Sequence, residues 1–329
     1  MMELVRRYWL VAFGFGATAY VALYLRQQLE RVDAPFSFTP APLLFAVAAQ
    51  LAFWLLASTL WRQLVASTAA HPMGLWDSFA QLCLVNLGKY LPGKLWGAVA
   101  RGTHMRQRHG IATTAIVQAT FLELFFQLAS AVVVVAALGA ALFPTTWVAA
   151  VAVPATLAIL AGSWVSPRLL AWSGETYARV SGGSWSPAEG LRLSAAGYLG
   201  FLAGYVAIWS LLGLTYYGVY LAVSPGAGSL TLVAATIQAT TAGFALGFLA
   251  LFAPAGVGVR ETASASLLGV FLPMADAVML TLLFRLWTVA LEGVCGGLVV
   301  VLVRPSGLRR TGLDQQPASE QSSDPRHPH

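Results

Sequence analysis

Long apolar segments separated by short polar ones fill most of the chain. Six of these segments are long enough to hold the roughly 20 residues that an α-helix needs to cross a bilayer. We therefore predict six transmembrane helices, within Tyr8–Leu25, Leu43–Trp61, Ala112–Phe143, Trp147–Trp164, Leu193–Val223 and Val278–Val303.

Two further apolar segments are interrupted by proline and glycine. Pro92-Gly93 separates Leu75–Leu91 from Leu95–Met105, and Pro254-Ala255-Gly256 separates Leu230–Leu251 from Val257–Leu272. Proline lacks a backbone donor and glycine allows the chain to reverse, so each helix ends there. Backbone freed in this way must be buried in protein or line a wet cavity. We predict two re-entrant hairpins, while an eight-span arrangement, in which hairpin arms cross the membrane fully, remains an alternative.

Basic residues indicate the orientation of the chain. With two re-entrant hairpins, the arginine-rich flanks all fall on one side, which is then the cytoplasmic side, together with both termini. Six spans and two hairpins give three crossings and one hairpin to each half of the set, so the two halves have opposite orientations. The polar segment Arg168–Arg192 divides the chain at about 1–165 and 190–303. Such inverted repeats are typical of secondary transporters. We expect residues 1–303 to form one transmembrane domain and 304–329 to form a disordered cytoplasmic tail.

Composition agrees with an all-α polytopic membrane protein. The chain is 58% hydrophobic and 10% charged, with a mean hydropathy of +0.71, whereas a soluble protein carries about 25% charged residues. Cys83 and Cys295 give no disulfide framework, and the histidines have no metal-ligand spacing. With no nucleotide-binding loop or hydrolytic triad visible, we expect no metal, no cofactor and no enzymatic activity. The tryptophans, Trp61 among them, fit interfacial belts.

Ionisable residues at membrane depth are costly and therefore mark candidate functional sites. We expect basic residues of the hairpins to hold an anionic headgroup, with carboxylates as counter-ions or proton-coupling groups. The alternative is that these charges only neutralise one another and fix the hairpins to the bundle. The candidate substrate-binding residues are Lys89, Pro92, Gly93, Lys94, Arg101, Glu123, Pro254, Gly256, Gly258, Arg260, Glu261, Arg285 and Glu292.

The two broken segments also carry a family resemblance. Asn86-Leu-Gly-Lys-Tyr-Leu-Pro-Gly-Lys-Leu-Trp96 and Pro254-Ala-Gly-Val-Gly-Val-Arg-Glu261 resemble the paired signatures of the transmembrane region of lysylphosphatidylglycerol synthases, a flippase-like family. Ala255 stands where that family commonly has glycine. The resemblance covers about residues 5–303 and implies lipid translocation. It does not imply lipid synthesis, because these 329 residues leave no room for the soluble synthase domain.

The sequence therefore favours a flippase for an anionic or polyprenyl-phosphate-linked lipid, with or without an aminoacyl group, in the cytoplasmic (inner) membrane. The alternative is a non-transporting scaffold that partners a lipid-modifying enzyme or a glycosyltransferase. Neither hypothesis involves nucleic acid, and the oligomeric state is left open.

Overall fold

The computed structural model describes residues 39–69, 71–88, 96–143, 194–224, 227–250 and 258–302, with isolated positions 156, 157, 159, 175, 179 and 256. These residues form eight α-helices and no strand. The helices are α1 (Pro40–Ala69), α2 (Leu75–Gly88), α3 (Trp96–His109), α4 (Thr113–Leu142), α5 (Ala195–Val223), α6 (Leu230–Leu249), α7 (Val259–Leu268) and α8 (Met274–Leu302).

Five helices are long and apolar enough to cross a membrane: α1, α4, α5, α6 and α8. Four of them match predicted spans. The predicted spans Tyr8–Leu25 and Trp147–Trp164 lie wholly or largely outside the described residues, as does the predicted tail. Large apolar side chains at Leu44, Leu51 and Leu55 are exposed on one side of α1, as expected of a surface that faces lipid.

Helix lengths bear on the two predicted hairpins. At about 1.5 Å per residue, the 14-residue helices α2 and α3 span about 21 Å and the 10-residue α7 spans about 15 Å. All three are shorter than the hydrocarbon core of about 30 Å. The 20-residue α6, at about 30 Å, reaches that thickness. The described parts of three of the four hairpin arms are therefore shorter than the hydrocarbon core.

Helix ends are fixed by local side-chain chemistry where the sequence supplies it. The Ser194 hydroxyl accepts the Gly197 N–H at 3.0 Å before α5, and the Ser229 hydroxyl accepts the Leu232 N–H at 3.1 Å before α6. Each serine satisfies one of the first-turn N–H groups that a helix leaves unpaired.

The described helices repeat in chain order, with α1–α4 corresponding to α5–α8. The two first helices, α1 and α5, pack against each other in antiparallel directions, since Leu60 meets Gly204 while Ala46 meets Gly218. In addition, α2 packs against α8 and α6 packs against α4, so one arm of each hairpin contacts the last helix of the opposite half. These reciprocal contacts and the antiparallel pairing are the relations that an inverted repeat requires.

The second broken segment brings two backbones into close contact. Gly256 has φ +70°, and a Cβ atom added there would lie 2.8 Å from the Cα of Gly247 on α6. Gly258, immediately before α7, has φ +86°. Glycine is required at Gly256 both for its left-handed conformation and for this contact.

Candidate functional site

A buried ion pair joins α3 to α4. Arg101 is 1% exposed, and its Nη1 donates to the Glu123 carboxylate. Glu123 is also buried, with its side chain 10% exposed. An arginine in the second arm of the first hairpin is therefore neutralised by a carboxylate of the next membrane-spanning helix.

The guanidinium of Arg101 also stacks on a buried indole. Its Cζ lies 3.7 Å from the centre of the Trp61 ring, well within the distance at which a cation is attracted to an aromatic face. The Trp61 Nε1–H donates in turn to the Oε1 of Gln81 at 2.8 Å. Trp61 and Gln81 are both fully buried, so the aromatic surface beneath Arg101 is itself held by a hydrogen bond.

The other nitrogens of Arg101 have no hydrogen-bond partner among the described residues. Both Nε and Nη2 are buried and make no such bond, although together they carry three N–H donors. Leaving buried donors unsatisfied costs free energy comparable to a lost hydrogen bond. Arg101 can therefore donate to a further acceptor through Nε and Nη2, the two nitrogens that do not contact Glu123.

A buried tyrosine completes this group. Tyr205 on α5 is 1% exposed and lies within electrostatic range of both Glu123 and Arg101. Five helices, α1 to α5, thus contribute one polar or aromatic side chain each. We refer to Trp61, Gln81, Arg101, Glu123 and Tyr205 as the Arg101 site.

A second charged group follows the second Pro/Gly break. One carboxylate oxygen of Glu261, Oε2, accepts the Gly258 N–H at 2.7 Å, and the other, Oε1, lies 3.5 Å from the Nε of Arg285 on α8. Arg260 and Arg285 are 9% and 8% exposed. The Arg260 Cζ lies 5.3 Å from the Phe244 ring centre. We refer to Arg260, Glu261 and Arg285 as the Glu261 cluster.

The two groups occupy equivalent places in the two halves. Each contains an ion pair between the second arm of a hairpin and the long helix that follows, α3 to α4 and α7 to α8. The polarity is reversed, because arginine is on the hairpin arm in the first half and on the long helix in the second.

The remaining predicted residues divide into two sets. Lys89, Pro92, Gly93, Lys94 and Pro254 lie outside the described residues, so their roles stay predictions. Glu292 is partly buried on α8, within electrostatic range of Cys83 on α2 and of Cys295. It therefore lies near the place where α8 packs on α2, the first arm of the first hairpin.

Sequence reasoning missed three members of the Arg101 site. Gln81 and Tyr205 were not singled out, and the assignment of Trp61 to an interfacial belt was wrong, because Trp61 is 0% exposed. Trp61 directly precedes the exposed Arg62, and a tryptophan beside an arginine is typical of the end of a membrane span. In the structure, however, α1 continues to Ala69. The sequence signal that could have revealed Gln81 was the presence of two amide side chains, Gln81 and Asn86, within the apolar first arm of the first hairpin.

Polar side chains also cluster where α2 begins and α3 ends. The Arg108 Nε lies 3.1 Å from the Asp77 Oδ1, and the His109 Nε2 lies 3.9 Å from the other Asp77 oxygen. The His109 ring centre is 5.4 Å from that of His71 and 6.4 Å from that of His104. No group of three or more metal-ligating side chains is placed to hold an ion within the part of the chain that the structure describes.

Burial of the imidazole lowers the pKa of His104, and the charges of Arg108 and His109 lower it further against the opposing effect of Asp77. Burial likewise lowers the pKa of His109. Asp77 opposes that shift, while His71 and Arg108 add to it. Both histidines belong to α3, outside the five helices long enough to span the membrane. The region where α2 begins and α3 ends therefore favours the neutral form of both imidazoles.

Long apolar helices around buried ion pairs, with short helices flanking Pro/Gly breaks, define a polytopic α-helical membrane protein. The chain belongs to the lysylphosphatidylglycerol synthase TM region family, whose model matches residues 9–296. This match confirms the resemblance drawn from the two broken segments. Comparisons with curated proteins and with solved structures found no match.

Proposed function

We propose that this protein moves a lipid with an anionic headgroup, such as a phospholipid or a polyprenyl-phosphate-linked lipid, with or without an aminoacyl group, across the cytoplasmic membrane. The observation that carries the proposal is Arg101, a buried cation with three N–H donors unused among the described residues. Membership of a family named for lipid-modifying synthases supports a lipid as the substrate.

Phosphate oxygens match the unused donors of Arg101 in geometry and charge. The guanidinium is a planar fork that binds phosphate through two parallel, charge-assisted hydrogen bonds. The Nη1 contact with Glu123 leaves Nε and Nη2 for such a pair. Glu123 has a complementary role. When no headgroup is bound, it neutralises Arg101, which would otherwise be an uncompensated buried charge.

The two halves supply the means of movement in this proposal. The acyl chains stay in the surrounding lipid while the headgroup crosses between the hairpins, and rocking of one half against the other exposes the site to each side in turn. The Glu261 cluster would meet the headgroup from the second half, with Arg260 and Arg285 as its cations. Carboxylates of both groups are candidates for proton coupling.

The remaining features of the proposal follow from sequence. The protein acts as a carrier, not as an enzyme, and needs no cofactor. Both termini lie in the cytoplasm, in agreement with the distribution of arginine along the chain. An enzyme that makes or consumes the lipid would be its functional partner.

Retention of phosphatidylglycerol during native mass spectrometry tests the proposal. Wild type is compared with Arg101→Lys, which keeps the charge but loses the fork, and with Arg101→Met/Glu123→Leu, which removes both charges together. Arg62→Gln is the matched control, because Arg62 is an exposed arginine on α1. We expect wild type and the control to retain phosphatidylglycerol over phosphatidylcholine, and both site variants to lose that preference.

Reconstituted vesicles with fluorescent phosphatidylglycerol then test movement between leaflets. Wild type should accelerate transfer, and Arg101→Met/Glu123→Leu should not. Equal retention and equal transfer by wild type and both variants would falsify the proposal. Unselective lipid binding with a co-purifying enzyme would instead support the scaffold.

A further inference from the structure

Trp61 is held by contacts on two sides of its ring. One face carries the Arg101 guanidinium at 3.7 Å, and the ring nitrogen donates to Gln81 at 2.8 Å. An indole has one donor and no acceptor. This hydrogen bond therefore fixes the direction in which the ring nitrogen points, and with it the orientation of the ring. The ring plane beneath Arg101 is therefore set from α2, by a residue that does not itself contact Arg101 through any hydrogen bond the structure shows.

Gln81 is suited to this task because its own amide is fixed. It is 0% exposed, and its Nε2 group lies 3.3 Å from the Sδ of Met73 while its Oε1 accepts from Trp61. The donor-only indole and the weakly accepting thioether assign the two ends of the amide. The contacts run in sequence from Met73 through Gln81 and Trp61 to Arg101.

Arg101 requires such support if it is to bind two oxygens at once. A single hydrogen bond from Nη1 to Glu123 does not by itself fix the plane of the guanidinium, and two-point binding needs a defined plane. Stacking on Trp61 fixes that plane. The fold therefore orders the guanidinium before any ligand binds. This lowers the entropic cost of binding and raises affinity.

We propose that Gln81 and Trp61 are positioning residues that orient the Arg101 fork for a two-oxygen anionic headgroup and thereby set the preference for anionic over zwitterionic lipid. This proposal rests on the proposed function. A purely structural role for the Trp61–Gln81 hydrogen bond would be to join α1 to α2, and it would affect stability without changing which lipid is preferred.

Gln81→Met tests the proposal, since methionine has similar length but replaces the amide oxygen with a thioether, a much weaker acceptor for the indole. The readout is the ratio of phosphatidylglycerol to phosphatidylcholine retained by the purified protein from vesicles containing equal amounts of both. We expect the ratio to fall about fivefold, the factor that loss of one hydrogen bond of ordinary strength gives. Gln63→Met, at an exposed glutamine of α1, should leave the ratio unchanged.

A double-mutant cycle with Arg101→Lys separates positioning from packing. Lysine has no planar fork to orient, so adding Gln81→Met to Arg101→Lys should produce no further fall in the ratio. Trp61→Phe keeps an aromatic face but loses the tethering N–H. It should reproduce the Gln81→Met effect, and it serves as the test if Gln81→Met does not fold.

The outcomes distinguish the positioning role of Gln81 and Trp61 from the proposed function on which it rests. If Arg101→Lys retains the lipids in the wild-type ratio, the headgroup site itself is wrong and positioning falls with it. If Arg101→Lys loses the preference but Gln81→Met and Trp61→Phe keep it, only the positioning role is overturned. A Gln81→Met effect that is equally large in the Arg101→Lys background also overturns it.

Discussion

The Arg101–Glu123 pair yields a quantitative prediction about stability. In Glu123→Leu, the Arg101 guanidinium stays buried at 1% exposure with no counter-ion among the described residues. Removing one partner of a buried pair costs about 3–5 kcal/mol, while replacing both with apolar residues of similar size is often neutral. We therefore expect Glu123→Leu to lose roughly 3–5 kcal/mol of unfolding free energy, and Arg101→Met/Glu123→Leu to recover most of that loss.

Thermal unfolding of the purified protein in one fixed detergent provides the assay. A loss of 3 kcal/mol corresponds to a fall in Tm of order 5–10 °C for a domain of roughly this size. Arg62→Gln, which changes an exposed arginine, should shift Tm by little. The reasoning is refuted if the double variant is as unstable as Glu123→Leu, because the loss would then come from packing and not from an uncompensated charge.

Three further predictions concern packing and pH. Gly256→Ala should lower Tm, since alanine must adopt φ +70° and its Cβ would lie 2.8 Å from the α6 backbone. Such strain costs about 1–3 kcal/mol. Gly213→Ala should also lower Tm because its Cβ would lie 2.4 Å from the Cα of an α6 residue, whereas Gly200→Ala on the same helix meets nothing within 4 Å and should be neutral. Lowered pKa values of His104 and His109 mean that the unfolded chain takes up protons first as pH falls below about 6.5. Tm should therefore decline from pH 7.5 to pH 5.5, and His104→Asn should reduce that decline.

The membrane helices could be predicted from sequence because their signal is local. An apolar run of sufficient length must be helical in lipid, since no other partner exists for its backbone. The predicted arm Leu230–Leu251 and the observed α6, Leu230–Leu249, accordingly differ at one end only. The Pro/Gly breaks were likewise local, and Gly256 and Gly258 adopt the conformations that only glycine takes easily.

The partners of the charged residues could not be predicted in the same way. The sequence listed Arg101 and Glu123 as candidates, but 22 positions separate them, and no periodicity relates residues on different helices. Gln81 and Tyr205 were missed because a lone polar group in an apolar helix has no distinctive spacing. Their roles depend on which helices pack together, and that information is in the contacts of α2 with α1 and α3 and of α5 with α1 and α4.

The reversed polarity of the two ion pairs leads to a final prediction. In the first half the hairpin arm carries the arginine, and in the second half it carries the carboxylate. If the pairs served only to fasten each hairpin arm to the next long helix, polarity would be irrelevant. Arg101 projects from α3, the arm that borders the first break, and it stacks there on the Trp61 ring.

Exchanging the charges in Arg101→Glu/Glu123→Arg separates these roles. The buried pair and its net charge are preserved, so the free energy of unfolding should stay closer to wild type than that of Glu123→Leu. The cation, however, moves to α4 and away from the Trp61 ring that orients it. We expect the exchanged protein to fold but to retain phosphatidylglycerol no better than phosphatidylcholine. Wild-type lipid preference in this variant would show that a buried arginine suffices on either helix, and that the hairpin arm is not where the headgroup is recognised.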